Sequence, residues 1–143
     1  MKPLFVDTSG WMACVDAADP ASERAIAARN DCLRDGRTLI TTDYVVDETL
    51  TLLRLRLGLK VAEAWWRELD GSSRLRWERI DAERADKARD AFFRQDDKAY
   101  SFTDCTSMIV MQELKLKQVL TTDRDFARMG FEVVPPLRPP RRR

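Results

Sequence analysis

Short apolar runs alternate along this chain with longer segments whose apolar residues recur at helical spacing. Five runs predict β-strands: PLFV at 3–6, TLIT at 38–41, RLRWERI at 74–80, KQVLTT at 117–122 and FEVV at 131–134. The segments between these runs are long enough for helices, and strands joined through helices pair in parallel. The pattern therefore predicts an α/β sandwich built on a parallel sheet.

The intervening segments predict helices over residues 9–17, 20–36, 43–58, 60–71, 81–95, 101–114 and 123–130. Asp43 has the residue type of a helix N-cap, and Gly58 that of a residue following a helix. The helix from Ser101 is apolar nearly all round, which predicts burial. We expect one domain over residues 1–135 and a flexible basic tail over 136–143.

Composition narrows the possible chemistry. In a chain of 143 residues, 25 basic residues against 24 acidic ones leave a net charge of +1. The chain contains no histidine, which excludes the Ser-His-Asp triad, the Cys-His dyad and every His-ligated metal site. A hydrolase of this composition depends on carboxylates, and a hard metal ion is their expected partner.

The sequence shows neither a membrane span nor a secretory signal pattern. The three cysteines, Cys14, Cys32 and Cys105, are an odd number without metal-ligand spacing. We therefore expect a reduced, cytoplasmic protein without a membrane partner. Cys105 is expected to be a packed thiol rather than a nucleophile, because no histidine is present to activate it.

Two acidic residues follow predicted strands. Asp7 follows the run LFV, and Asp123 follows QVLTT. Each also stands where a helix N-cap is expected, and for Asp7 taken alone the cap is the favoured interpretation. Parallel sheets bind ligands outside the carboxyl ends of their strands, so both residues also occupy positions typical of ligand binding.

Two further acids lie where a solvated acid is not expected. Glu48 falls on the apolar face of its helix, whereas its neighbour Asp47 falls on the polar face. Pairing with an arginine is the alternative explanation for Glu48. Asp104 lies three residues after Ser101 in SFTD, the pattern of a capping box at the start of the buried helix.

These four acids meet in one crevice if the first strand and the strand over 117–122 are neighbours. Four carboxylates in a small volume repel one another, and divalent cations relieve that repulsion. A site made only of oxygen ligands predicts Mg²⁺ or Mn²⁺, ions that commonly serve the hydrolysis of phosphodiesters.

Four sequence blocks resemble the PIN-domain ribonucleases, and among them the small VapC-type toxins of bacterial toxin–antitoxin pairs. The blocks are FVDTSGW at 5–11, TTDYVVDETLTLL at 41–53, YSFTDCTSM at 100–108 and VLTTDRDF at 119–126. In order and spacing, the resemblance covers nearly the whole chain. It implies a three-layer α/β/α sandwich with a mainly parallel sheet of four or five strands.

The resemblance also implies a set of catalytic, metal-binding acids: Asp7, Glu48, Asp104 and Asp123. Asp7 and Asp104 are the implied direct ligands, and the other two complete the site or bind a second metal ion.

Three more residues have weaker implied roles. Thr8 or Ser9 would support the site by hydrogen bonding. Asp125 stands where related sequences often carry a different residue, so it is either a helper or a surface acid. Its position two residues after Asp123 favours an exposed side chain.

The implied activity is that of a Mg²⁺- or Mn²⁺-dependent endoribonuclease, a toxin that hydrolyses RNA phosphodiester bonds and inhibits translation. The implied partners are structured RNA with single-stranded loops, a VapB-type antitoxin that occupies the cleft, and a second copy in a homodimer. The alternative is a non-catalytic RNA- or protein-binding PIN-like module with a vestigial acidic cleft. A response-regulator receiver and a haloacid-dehalogenase phosphatase are disfavoured, because the acidic pair each requires near its first strand is missing.

Two surface features have two possible explanations, either binding of a partner or simple exposure to solvent. Arginine outnumbers lysine by 19 to 6, which suits phosphate contacts, although a compositional bias of the genome is the favoured explanation. Trp65 and Trp66 are adjacent and cannot share one helix face. One is predicted to lie in the core, and the other is a candidate for a dimer or antitoxin surface.

Overall fold

The computed structural model describes residues 2–95 and 99–138. Its five strands form one sheet in the order β3-β2-β1-β4-β5. The strands are β1 (Leu4–Val6), β2 (Leu39–Thr42), β3 (Leu75–Glu78), β4 (Gln118–Leu120) and β5 (Glu132–Val134). Every pairing is parallel, and Phe5 of β1 lies opposite Ile40 of β2 on one side and Val119 of β4 on the other. The predicted parallel sheet and all five predicted strands are confirmed.

Seven helices connect and cover these strands within the described part of the chain. They are α1 (Thr8–Val15), α2 (Ser22–Arg34), α3 (Asp43–Leu57), α4 (Leu59–Gly71), α5 (Ala82–Arg94), α6 (Phe102–Glu113) and α7 (Asp125–Arg128). Every residue of β1 and β2 is buried, as expected when helices cover both faces of a parallel sheet. The chain is thus an α/β protein of the predicted class.

The N-cap predicted for α3 is wrong by one residue. Thr42, not Asp43, is the cap, because the Thr42 Oγ1 accepts the backbone N–H of Val45 at 3.1 Å. The Asp43 Oδ1 instead accepts the N–H of Ile80 at 2.9 Å. Asp43 therefore ties the start of α3 to the segment that follows β3.

The order of the strands creates a crevice between β1 and β4. From β1 the chain builds β2 and β3 on one side, then returns to add β4 and β5 on the other. The strand order therefore reverses between β1 and β4, and such a switch point opens a crevice at the carboxyl ends of the two strands. Asp7 directly follows β1, and residues 121–123 directly follow β4.

Gly10 lets α1 begin directly against β4. A Cβ atom on this residue would lie 2.1 Å from the carbonyl oxygen of Leu120 and 3.1 Å from the Cγ1 of Val6. Only glycine permits so close an approach between a helix and a strand backbone. The glycine of the DTSG segment thus sets the distance between α1 and β4 at the mouth of the crevice.

The two adjacent tryptophans have the predicted difference in burial. Trp65 is buried and packs edge-on against Trp11, with ring centroids 5.7 Å apart. Trp66 is 39% exposed and contacts Trp77. Cys105 is buried, and burial raises the pKa of its thiol, as expected of a packed cysteine.

The first residues of the predicted tail lie against the fold. Leu137 packs partly against the core, and Arg24 donates to the carbonyl of Pro136 at 3.1 Å. Residues 139–143 lie outside the described part of the chain, so the flexibility of the tail stays a prediction. None of the helices described in 2–95 and 99–138 is long and apolar enough to cross a membrane.

Candidate metal centre

The crevice holds a pocket of about 240 Å³ in which acidic side chains from separate elements meet. Asp7 comes from the end of β1, Glu48 from α3, Asp104 from the first turn of α6 and Asp123 from the segment after β4. The structure thus brings together the four acids that the sequence singled out. A larger pocket of about 590 Å³, next to Trp11 and Trp65, is mostly apolar and lies apart from them.

Asp7 caps α1 and lines the pocket at the same time. The residue is only 5% exposed. The Oδ1 accepts the backbone N–H of Gly10 at 2.9 Å and the hydroxyl of Ser9 at 3.0 Å, and the Oδ2 accepts the hydroxyl of Thr121 at 2.9 Å. The cap and the pocket are therefore two uses of one carboxylate, which three donors hold in place.

Thr121 is a site residue that the sequence analysis missed. Besides donating to Asp7, its Oγ1 accepts the backbone N–H of Asp123 at 3.0 Å and lies 2.8 Å from the Oγ of Ser9. This one buried hydroxyl therefore links the end of β1 to the end of β4. Its only signal in the sequence is a hydroxyl residue at the end of an apolar run. That signal indicates a site residue only when β1 and β4 are known to be neighbours.

Of the two hydroxyl residues after Asp7, Ser9 makes the hydrogen bonds. Its Oγ donates to Asp7 and accepts the backbone N–H of Thr122 at 2.9 Å. The hydroxyl of Thr8 is buried and has no hydrogen-bond partner among the described residues. Ser9 therefore joins the same network as Thr121, whereas Thr8 only lines the pocket.

Asp104 closes the capping box that its sequence pattern predicts. Its backbone N–H donates to the Oγ of Ser101 at 3.0 Å, and its Oδ2 accepts the N–H of Ser101 at 3.2 Å. Its other oxygen has no donor among the described residues. The helix cap therefore occupies one side of this half-buried carboxylate and leaves the other side to the pocket.

Asp104, Asp123 and Asp125 each contribute a carboxylate oxygen to a group whose members lie within 4.8 Å of one another. The Oδ1 of Asp123 accepts the N–H of Asp125 at 2.9 Å, and this tight turn holds the two side chains near each other. The expectation that Asp125 is exposed is wrong, because its side chain is only 26% exposed. Asp125 therefore lies beside two of the pocket acids, while its Oδ1 also accepts a hydrogen bond from Arg128 at 3.1 Å.

Glu48 lines the pocket without a cation to neutralise it. It is half-buried and makes no ion pair or hydrogen bond with any residue in the described ranges, so the arginine partner considered from sequence is not found there. Its neighbour Asp47 is exposed, as the helical pattern predicted. The two acids, adjacent in sequence, thus lie in different environments because successive residues of a helix point about 100° apart.

Two carboxyl groups of the pocket, those of Asp7 and Asp104, ionise less readily than free carboxyl groups. Burial raises the pKa of Asp7 to about 7, against the lowering effect of its three hydrogen bonds. Burial also raises the pKa of Asp104 to about 6, and the charges of Asp123 and Glu48 act in the same direction. A donor set of several carboxylates, all oxygen and short of positive charge, fits a hard divalent cation.

We expect the protein to lose stability between pH 5 and 7.5 when a chelator keeps it metal-free. Because the folded-state pKa of Asp7, about 7, exceeds its ordinary value of 3.8, the native state binds a proton that the unfolded chain has released in this range. The free energy of unfolding then falls as pH rises, by up to about 1.4 kcal/mol per pH unit for each such group.

Urea unfolding at pH 5, 6 and 7.5 measures this slope. Asp7→Asn should make it shallower, whereas the exposed control Asp47→Asn should leave it unchanged. An identical slope in the wild type and in Asp7→Asn would contradict the expected linkage.

Residues 4–132 match the PIN domain. The chain belongs to the PIN domain family. Over 133 residues, this PIN domain is 33% identical to the 23S rRNA-specific endonuclease VapC20 of Mycobacterium tuberculosis, a match that covers 93% of the chain and 98% of VapC20. It is 27% identical over 124 residues to the ribonuclease VapC26 of the same organism, covering 85% of the chain and 87% of VapC26.

Solved structures agree with this assignment. The crystal structure of M. tuberculosis VapC20, described as a sarcin-ricin loop cleaving toxin, matches this PIN domain with a TM-score of 0.80 and 32% identity, covering 90% of this chain and 96% of VapC20. FitAcB from Neisseria gonorrhoeae matches with a TM-score of 0.62 at 17% identity, covering 93% and 96% of the two chains, and shows the fold alone. The predicted resemblance to VapC-type PIN proteins is confirmed.

Proposed function

We propose that this PIN domain is a metal-dependent endoribonuclease that hydrolyses RNA phosphodiester bonds, acts as the toxin of a toxin–antitoxin pair and inhibits translation. The observation that carries the proposal is the meeting of Asp7, Glu48, Asp104 and Asp123 in one pocket at the switch point of the sheet. The similarity to VapC20, an endonuclease specific for 23S rRNA, supports RNA as the substrate.

Mg²⁺ or Mn²⁺ is the proposed cofactor, because the acidic side chains that meet in the pocket offer carboxylate oxygens, the ligands that hard divalent cations prefer. Asp7 and Asp104 would be direct ligands of the ion, and Glu48 and Asp123 would complete the site or hold a second ion. Asp125, which offers a carboxylate oxygen within 4.8 Å of those of Asp104 and Asp123, would assist. When bound, such an ion neutralises charge on the phosphate and activates water for attack.

The remaining roles follow from the contacts of each side chain. Three donors hold both oxygens of Asp7, so its carboxylate keeps its place when substrate enters. Glu48 has no partner among the described residues, so its carboxylate is available to water or to a second ion. Thr121 and Ser9 keep the ends of β1 and β4 in register with each other.

The proposed substrate is a structured RNA with a single-stranded loop, and the sarcin–ricin loop of 23S rRNA is the first candidate because VapC20 cleaves it. A VapB-type antitoxin that fills the acidic cleft is the proposed partner. A homodimer is the proposed assembly. Both partners are inferred from the VapC-type relatives.

Purified protein incubated with a sarcin–ricin hairpin and with total RNA tests the proposal. We expect cleavage with Mg²⁺ or Mn²⁺ and none with EDTA, and sequencing of the new RNA ends identifies the cleaved bond. Cleavage that persists in EDTA would refute the metal requirement, and intact RNA under every condition would refute the nuclease activity.

Thermal melting separates an active site from a vestigial acidic cleft. A divalent ion that binds the native state at about a hundred times its dissociation constant stabilises it by about 2.7 kcal/mol. The melting midpoint should therefore rise with Mg²⁺ or Mn²⁺. A non-catalytic module with a vestigial cleft predicts neither this shift nor RNA cleavage.

A further inference from the structure

A single arginine lies at the edge of the acidic pocket. Arg56, in the last turn of α3, is the one basic residue that lines the pocket within residues 2–95 and 99–138. Five acids line the same pocket: Asp7, Asp19, Glu48, Asp104 and Asp123. Asp19 and Arg56 are pocket residues that the sequence analysis did not name individually.

Arg56 belongs to the same face of α3 as Glu48. Glu48, Leu52 and Arg56 follow one another at intervals of four residues, which places them in one row along the helix. All three line the pocket. The row therefore runs from a carboxylate inside the pocket to an exposed guanidinium at its edge.

The guanidinium of Arg56 is not used within the described structure. It makes no ion pair and no hydrogen bond with any described residue, although five carboxylates line the same pocket. Elsewhere in the chain arginines do pair with nearby acids, as Arg84 does with Glu78 at 2.9 Å and with Glu113 at 3.0 Å. The planar fork of Arg56 therefore remains available to a ligand.

An RNA strand carries one negative charge per phosphate and must approach a pocket rich in carboxylates. A guanidinium binds phosphate oxygens bidentately and with charge assistance. We infer that Arg56 binds a backbone phosphate of the RNA next to the bond that is cut, and so places the substrate over the pocket. This inference rests on the proposed function and adds a substrate-binding residue to it.

A purely structural role for Arg56 can be tested with a matched control residue. Cations in the last turn of a helix stabilise it through the helix dipole. Arg54 lies in the same last turn of α3, is exposed and does not line the pocket. A dipole contribution predicts similar effects for the two arginines, whereas phosphate binding predicts an effect for Arg56 alone.

Cleavage kinetics on the sarcin–ricin hairpin compare Arg56→Ala, Arg56→Lys and Arg54→Ala. We expect kcat/KM to fall at least about tenfold in Arg56→Ala, mainly through KM, because a contact made before and during reaction is lost. Arg56→Lys should lose less of kcat/KM than Arg56→Ala, since lysine retains the positive charge but not the planar guanidinium. The kcat/KM of Arg54→Ala should stay within about twofold of the wild-type value. The melting midpoints of all variants should be equal.

RNA binding gives a second readout that does not depend on turnover. Fluorescence anisotropy of the labelled hairpin is measured against salt concentration in the Asp104→Asn background. Loss of one phosphate contact should reduce the slope of log K against log salt by about 0.7, and adding Arg54→Ala to the same background should keep the slope.

The outcomes separate this inference from the proposed function. If the wild type is active and Arg56→Ala and Arg54→Ala have equal kinetics and equal salt slopes, the role of Arg56 is overturned. The proposed function is not affected by that outcome. Absence of both cleavage and binding in the wild type would overturn the proposed nuclease, and the role of Arg56 with it.

Discussion

Asp104→Asn is expected to reduce RNA cleavage about a thousandfold or more while the protein remains folded. Asparagine keeps a side-chain oxygen that can accept the N–H of Ser101, so the capping box at the start of α6 is preserved. The substitution removes one charge and one oxygen ligand from the group that Asp104 forms with Asp123 and Asp125. Initial rates on the hairpin in saturating Mn²⁺ measure the effect.

The matched control is Asp47→Asn, which removes a charge from an exposed position on another face of α3. We expect this variant to retain the wild-type rate. In metal-free protein at pH 7.5, Asp104→Asn should be at least as stable as wild type, because burial opposes ionisation of Asp104. Wild-type cleavage by Asp104→Asn would exclude Asp104 from the metal centre.

Gly10→Ala is expected to destabilise the fold by about 3 kcal/mol, near the upper end of the usual cost of overpacking. The added methyl would lie 2.1 Å from the carbonyl oxygen of Leu120, a backbone atom that cannot move aside as a flexible side chain does. Either α1 or β4 must shift, and β4 leads directly to Thr121, which holds Asp7. Stability and cleavage should therefore fall together.

Gly71→Ala is the control for this substitution. Gly71 is the last residue of α4, and a Cβ atom there would meet no heavy atom within 4 Å. Alanine favours the helix over glycine by up to about 1 kcal/mol, so this change should be neutral or mildly stabilising. Urea unfolding compares the two variants, and a similar free energy of unfolding for both would show that α1 and β4 are not in tight contact.

Much of the fold follows from local pattern because each element carries its own signal. The buried runs that became β1 and β2 are continuous and apolar, and the helices between them have caps or glycines at their ends. The capping box of Ser101 and Asp104 is correctly predicted, since both partners lie within four residues of each other. Such contacts are encoded over one turn of chain and need no knowledge of the sheet order.

The errors lie where neighbouring residues compete for one role. Thr42 and Asp43 both have the chemistry of an N-cap, and the choice between them depends on Ile80, nearly forty residues away, whose N–H needs the carboxylate of Asp43. Asp125 was expected to be exposed because it stands two residues beyond Asp123, yet the turn made by Asp123 holds its carboxylate near those of Asp104 and Asp123. Local sequence ranks such candidates but cannot choose between them.

The sequence by itself determined the parallel α/β class, the lack of any histidine chemistry, and the presence of acids after two strands, on a helix face and in a helix start. The tertiary structure decided that β1 and β4 are neighbours, that Thr121 links Asp7 to the loop after β4, and that Arg56 faces the same pocket. The reason is physical: propensity and periodicity act over a few residues, whereas the pocket forms from segments more than a hundred residues apart. Those segments meet only when strand order and helix packing have been settled by burial of the whole core.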